Sequence, residues 1–447
     1  MMHPKPLDKQ RGAASLAVVM VLFFILAMVA AYTNRNLVFE QRTSANSYRA
    51  ARSLAAAEAA ADWTIGMLNG GVIGTSCTSA GATSDFRTRY LELESDGKFK
   101  PRTWDTIWDP TGPRIQAQPS CSAKKGGGWD CGCPDIGGTP PAALSASNDE
   151  EPVFTVGFIG DLPGVVSLKI RACHTVRSGV VTASNVNAEG SCHVNDLFET
   201  NELIKAKLVV DSLAMIRVSV GLVSALPVAP SAALTVRGTI TQSAGTLRVI
   251  NQDPLTGLAL RSGSPIADPT TMETAGPAGS TSATKVDGDT DLSGIAAGDF
   301  FRSTLGLPEA SYREQPAALA IKCSGACNAS ASVLPAVASG PTRIIVVDGD
   351  LNLDTSSAIG TSELPTMLVV TGNVTVSQPI TFKGVIYAEG NVTWSASGGT
   401  ILGALISAGD YVGSGNAAIA YDRAIVQRIH KGYGSFVRVP GSWRMES

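Results

Sequence analysis

The chain has 447 residues, 44% hydrophobic and 16% charged, with a formal net charge of −3, 46 glycines, 24 prolines and 8 cysteines. That length holds two or three folded units, and the apolar content excludes a disordered or collagen-like chain. Charge so near balance, without a long basic run, argues against nucleic acid, whose phosphates require several Lys or Arg to neutralise them.

Residues 1–12, MMHPKPLDKQRG, are short and basic through Lys5, Lys9 and Arg11, and from Gly12 to Asn34 no charge interrupts 23 residues. A helix of that length, rising about 1.5 Å per residue, spans roughly 30 Å of hydrocarbon. Helix formers continue without a proline through LAAAEAAAD (Leu54–Asp62) and Trp63, and stop at Asn69-Gly70-Gly71, where glycine accepts left-handed angles. The pattern predicts one helix over 13–69, on the order of 80 Å long, half in lipid and half outside. A secretory signal peptide cut after Val29-Ala30-Ala31 competes with this reading, although its apolar run exceeds the usual length of about 7–15 residues. On the outer half, Ala51, Ala55, Ala59, Trp63 and Met67 recur at i+4, a stripe on which a sheet can pack. Arg35, Arg42 and Arg49 recur at i+7 on another face, either as a solvated or headgroup-facing row or as a contact for acidic neighbours in a helix bundle.

QRG before the apolar run, then FEQR (Phe39–Arg42), Ala45-Asn46, Tyr48-Arg49 and LAAAEAA (Leu54–Ala60), resembles the N-terminus of PilX-type minor pilins of the type IV pilus. The resemblance covers residues 1–70. It implies cleavage by prepilin peptidase after Gly12, N-methylation of Ala13 and assembly with other minor and major pilins on an inner-membrane platform. The fifth residue after the cut is Ala17, where major pilins carry a glutamate that pairs with the amine of the subunit ahead. Its absence suits a rare, initiating or tip-proximal subunit.

Eight cysteines behind a membrane-targeting segment fit an oxidising compartment, so the remainder of the chain is expected outside the inner membrane of a bacterium. Residues 70–150 read as a Gly-, Ser- and Cys-rich connecting region. Residues 151–230 (VFTVGFIG, GVVSLKIRACHTV, SGVVTASNVN and LIKAKLVVDSLAMIRVSVGLV) read as strands of an antiparallel head sheet. Cys173 and Cys192 flank a hairpin and form one expected disulfide, and Cys323 with Cys327 forms another. Cys77, Cys121, Cys131 and Cys133 remain for two more bridges of open connectivity. Zinc on Cys121, Cys131, Cys133 and a histidine is the alternative, but the spacing departs from C-x2-C.

Over 231–447, ALTVRGTIT, IIVVDGDLNL, MLVVTGNVTV, VIYAEGNVTW and ALISAGDYVG repeat an apolar run, a glycine with Asn, Asp or Thr, and another strand. Gly349, Gly372, Gly390 and Gly409 lie 23, 18 and 19 residues apart. Constant offset is how the coils of a β-solenoid read, with a meander as the alternative. Residues 250–340 are expected as an excursion from the stack, with a short helical element at Asp299–Pro316, and the C-terminus as a capping helix and last strand. The fold class is therefore α+β: a long helix on an antiparallel sheet, followed by a β-solenoid-like domain.

No G-x-S-x-G, H-E-x-x-H or G-x-x-x-x-G-K occurs, and only His3, His174, His193 and His430 are present, so a non-enzymatic protein without a cofactor is expected. Calcium is the weak exception. Asp287, Asp289 and Asp291, and Asp348 and Asp350, offer oxygens at alternate positions but lack the glycine and glutamate of a calcium loop. The expected role is to initiate or cap a pilus, acting in adhesion or twitching. The alternatives are a tip pseudopilin of type II secretion and a secreted carbohydrate-binding solenoid.

Overall fold

The computed structural model describes residues 12–82, 84–104, 115–116, 118–124, 126–135, 152–174, 212–266, 271–278 and 284–446. Helix α1 runs from Gly12 to Leu68. Its apolar first half is exposed, and its second half lies on an antiparallel sheet. That head sheet contains β1 (Ser120–Ala123), β2 (Trp129–Gly132), β3 (Pro152–Leu162), β4 (Val165–His174) and β5 (Ser212–Ser224), in the order β5-β4-β3-β1-β2. β4 pairs with β5 from Val165↔Gly221 to His174↔Ser212. Alternation along β5 turns Ala214, Ile216, Val218 and Val220 inward, and they form one core with Phe154, Phe158, Leu168 and α1.

The 70–150 region is more than a connector. A five-residue helix α2 (Phe86–Tyr90) begins on Asp85, whose carboxylate accepts from the Thr88 N–H at 2.9 Å. Phe86, Tyr90 and Phe158 stack beneath Trp63 of α1. Cysteine pairs Cys77–Cys133 and Cys121–Cys131 hold this region to itself, the latter across the β1–β2 hairpin. The bridges consume the thiols that the zinc alternative required.

From Ala232 to Ala420 the strands are short and parallel, and the chain winds in coils of three faces. In one coil Val385–Ala388 lies on the first face, Val392–Trp394 on the second and Thr400–Leu402 on the third, and Ala404–Ser407 re-enters the first face beside Val385–Ala388. Leu, Val, Ile and Trp394 fill the interior. The outer side of the first face is also apolar and is covered by α3 (Ala297–Leu305), α4 (Glu309–Arg313) and α5 (Arg423–Gly432).

Coil corners explain the Gly-Asx repeat. Asp350 Oδ1 accepts the Asn373 N–H, Asn373 Oδ1 the Asn391 N–H, Asn391 Oδ1 the Asp410 N–H, and Asp410 Oδ1 the Thr239 N–H, at 2.7–2.8 Å. Each side chain thus serves the next coil's backbone. A Cβ on Gly372, Gly390 or Gly409 would collide with the oxygen of that ladder, so the corner requires glycine for close approach.

Two expectations are corrected. Residues 258–262, 272–275 and 285–286 continue the stack in parallel register beyond Ala232–Ile250, so the departure begins only after Val286. In space the order along the first face is 285, 258, 232, 404, 385, 366, 344, 318, so the first coil of the block seats on the last. Local repeats fix coil length, and nothing local fixes which coils become neighbours. Second, the C-terminus is not an end cap of the stack. Ile425, Val426 and Ile429 of α5 pack on the flank of the first face, and β6 (Gly434–Arg438) pairs with β5 of the head sheet.

Candidate assembly site

The first half of α1 presents large apolar side chains on every side. Those between Leu16 and Phe39 are 42–72% exposed. Two of its hydroxyls bond back within the helix: Thr33 donates to Val29 O at 3.0 Å and, farther along, Thr43 to Phe39 O at 3.0 Å. Such a surface suits hydrocarbon or other apolar helices and not water. α1 begins at Gly12, which puts Gly12 and Ala13 in its first turn.

The outer half buries a different face from the one expected. Ala51 and Ala55 are exposed, while Ala59, Trp63 and Met67 are half-buried. The buried residues are Ser53, Ala56, Ala57, Ala60, Ala61, Thr64 and Leu68. At about 100° per residue, the Ala51/Ala55 line is on the far side of the helix from Ser53, Ala57 and Thr64. Alanine lines both faces, so size does not choose between them. Charge does, because Glu58 and Asp62 share the Ala51/Ala55 side and must stay in water. The buried hydroxyls are satisfied, Thr64 by Ala60 O at 2.7 Å and Ser53 by Ser212 Oγ at 2.6 Å. Trp63 still contributes bulk, against Phe86 and Phe154.

The joint between helix and head rests on residues that the sequence reading passed over. The last carbonyls of a helix have no intrahelical partner. Here Arg87 supplies one: Nε and Nη2 donate to Leu68 O at 3.2 and 3.0 Å, Nη1 to Gly432 O at 2.9 Å and Nη2 to Gly434 O at 2.9 Å. The guanidinium also stacks 4.8 Å from the centre of the Phe436 ring. Burial pushes its pKa down to about 10, against the raising influence of Asp85 and Tyr433. Asn69 completes the joint as a two-way bridge, its Nδ2 donating to Phe436 O and its Oδ1 accepting the Phe436 N–H, at 2.9 and 2.8 Å. Arg89, two residues on, does the same for the loops, donating to Ile73 O, Gly74 O and Cys133 O at 2.7–3.1 Å. The end of α1 is thereby tied to the end of the chain. The signal in sequence was two arginines, Arg87 and Arg89, interleaved with the aromatic pair Phe86 and Tyr90.

The remaining candidates lie apart. Cys323 and Cys327 are bonded to each other at a corner of the outermost coil, and Cys173 is disulfide-bonded on β4, with Cys192 outside the described residues. Asp289 accepts from the Asp291 and Leu292 N–H groups and pairs with Arg261 at 2.7 Å. Asp348 pairs with Arg313 at 2.6 Å and Lys322 at 3.2 Å, and Asp350 belongs to the corner ladder. Asp287 pairs with Lys285 at 3.8 Å, and Asp291 is exposed. Among the described residues no three His, Cys, Asp or Glu side chains cluster as a metal would require.

No family model and no curated protein sequence matches the chain. Among solved structures it is similar to the competence-associated pilin ComZ from Thermus thermophilus, at 11% identity and a TM-score of 0.21, over 89% of this chain and 98% of that one.

Proposed function

We propose that the chain is a non-enzymatic minor pilin of the PilX type, which helps to initiate or cap a type IV pilus together with other minor and major pilins. The observation that carries this reading is the division of α1 into two continuous halves, one wholly exposed and apolar, the other buried on a disulfide-bonded head. A soluble domain gains nothing from such a protruding apolar helix, whereas a subunit that waits in a membrane and then joins a bundle needs it. In this reading prepilin peptidase cuts after Gly12, Ala13 becomes N-methylated, and the head remains periplasmic until assembly moves it to the cell surface. The coil stack is then a β-solenoid module displayed for a partner, such as a tip adhesin, without a cofactor. Ala17, in place of a glutamate, also suits a tip pseudopilin of type II secretion, which is the second reading.

Mass spectrometry of the mature N-terminus tests the proposal: N-methylated Ala13 is expected, and a mature chain beginning at Tyr32 refutes it. Deletion then separates the two readings. Loss of surface pili or twitching with normal exoprotein secretion supports the pilus, and the reverse supports the secretion system.

A further inference from the structure

Between the apolar segment, which ends at Asn34, and the level of Arg49, whose carbonyl accepts from the Ser212 hydroxyl of the head, α1 crosses a neck of 15 residues, about 22 Å, exposed over 35–48. Arg35 and Arg42 are exposed on this neck, and among the described residues neither makes an ion pair. At about 100° per residue both fall in line with Ser53, Ala57, Ala60 and Thr64, so this cationic face continues the face that packs on the head. The neck's single acid, Glu40, lies about 140° away on the opposite side.

Anionic phospholipid accounts for Arg35 more readily than for Arg42, whose backbone lies farther out. If hydrocarbon takes about 20 residues from Ala13, Arg42 stands about 13 Å above its edge. That is beyond a headgroup layer of about 5–7 Å and most of a Debye length of about 8 Å. A second copy also fits poorly. The acids of its α1 are Glu40, Glu58 and Asp62, none of them seven residues from another, and Asp62 is already held by Arg438 at 2.8 Å. Two arginines seven residues apart, about 10.5 Å along a straight helix, are matched by a neighbouring helix whose carboxylates keep the same repeat.

We propose that Arg35 and Arg42 bind an acidic stripe of heptad spacing on the α-helix of a different subunit, seated beneath the head. This rests on the minor-pilin reading. It makes the chain a heterotypic subunit: its neck selects a partner that it cannot find in itself.

The test uses the full-length chain in host cells that assemble fibres. Benzoylphenylalanine at Asn46, exposed on the same face, keeps both arginines in place. The expected photo-adduct maps to a helix of another pilin that bears two acids seven residues apart. An adduct only with lipid, or only with a second copy, overturns the proposal. In parallel, Arg35→Glu with Arg42→Glu is expected to lower the amount in sheared fibres about tenfold, from two lost pairs and added repulsion. The paired lysine variant holds near wild type, and acid-to-arginine changes in the partner restore the reversed chain. The milder glutamine pair, with membrane insertion and disulfides checked, covers a reversal that fails to fold. Undiminished incorporation of the glutamate pair refutes this inference alone. A wild-type chain never found in fibres removes the minor-pilin reading as well.

Discussion

Replacing Arg87 by methionine removes one side chain and strands three buried carbonyls, those of Leu68, Gly432 and Gly434, which now accept four hydrogen bonds from it. Each buried acceptor left without a partner costs about 1–3 kcal/mol, so the gross loss is about 3–9 kcal/mol. Against this, methionine is spared the desolvation of a guanidinium that is only 4% exposed, a saving of several kcal/mol. Breaking a buried charged network by removing one partner has generally cost about 3–5 kcal/mol, and a net loss near 3 kcal/mol is expected here. With a urea slope of about 2 kcal/mol per molar, the head transition moves down by about 1.5 M. The assay is urea unfolding of the detergent-solubilised full-length chain, followed by tryptophan fluorescence, because Trp63 and Trp129 both pack on Phe154 where helix meets head. Arg87→Lys falls between, since an ammonium cannot span three carbonyls in a plane. An unchanged or raised midpoint for Arg87→Met would mean that desolvation outweighs the carbonyl bonds, and the account of the joint would be wrong.

At the coil corners, Asn391→Ala should cost about 1 kcal/mol, one exposed acceptor of the Asp410 N–H. Gly390→Ala should cost more, since its Cβ meets both Asn373 Oδ1 and the Gly372 backbone; urea midpoints that rank the two the other way refute the ladder argument. For pH, Asp289 is held below the usual carboxylate range by Arg261 and Asp348 by Lys322 and Arg313. In Asp253 and Asp354 burial opposes the shift, but donors from Leu255, Thr256 and Arg423, and from Ser330, prevail. A carboxyl with a lowered folded pKa stabilises above its unfolded value of about 3.9, and that stabilisation is lost as pH falls through the folded value. Glu389, pushed up by burial and by Glu309, acts in the opposite sense. The stack is thus expected to hold its urea midpoint from about pH 7 to 5 and to lose it below about pH 4, with Asp289→Asn blunting the loss; an unchanged midpoint at about pH 3 contradicts it.

What could be read from sequence was what neighbours in sequence decide. The long helix is written in an unbroken run of helix formers, the coil in its 18- and 19-residue offsets, and the Asp299–Pro316 element in the pattern that became α3 and α4. What could not be read was pairing across distance. Ala51 and Ala57 are the same residue type on opposite faces, and only the placement of Glu58 and Asp62 distinguishes them. Nothing near Phe436 announces that it will lie on Arg87, 349 positions away. The seating of Ala232–Val236 on Ala404–Ser407 is a choice of partner among near-identical strands, and local propensity is silent about it.

That seating has a bearing on how such a head can change over time. The chain joins the stack at Ala232 and leaves it at Ala420, and these points are on adjacent coils, so both attachments to the rest of the molecule lie at one seam in the middle. Duplicating a unit of 18 or 19 residues between Thr366 and Ser407 would lengthen the stack by about 4.8 Å without moving either attachment. Only the crossing segment that carries α3 and α4, which already runs from one end of the stack to the other, would need to reach farther. The mount and the reach of the displayed module are therefore free to vary separately.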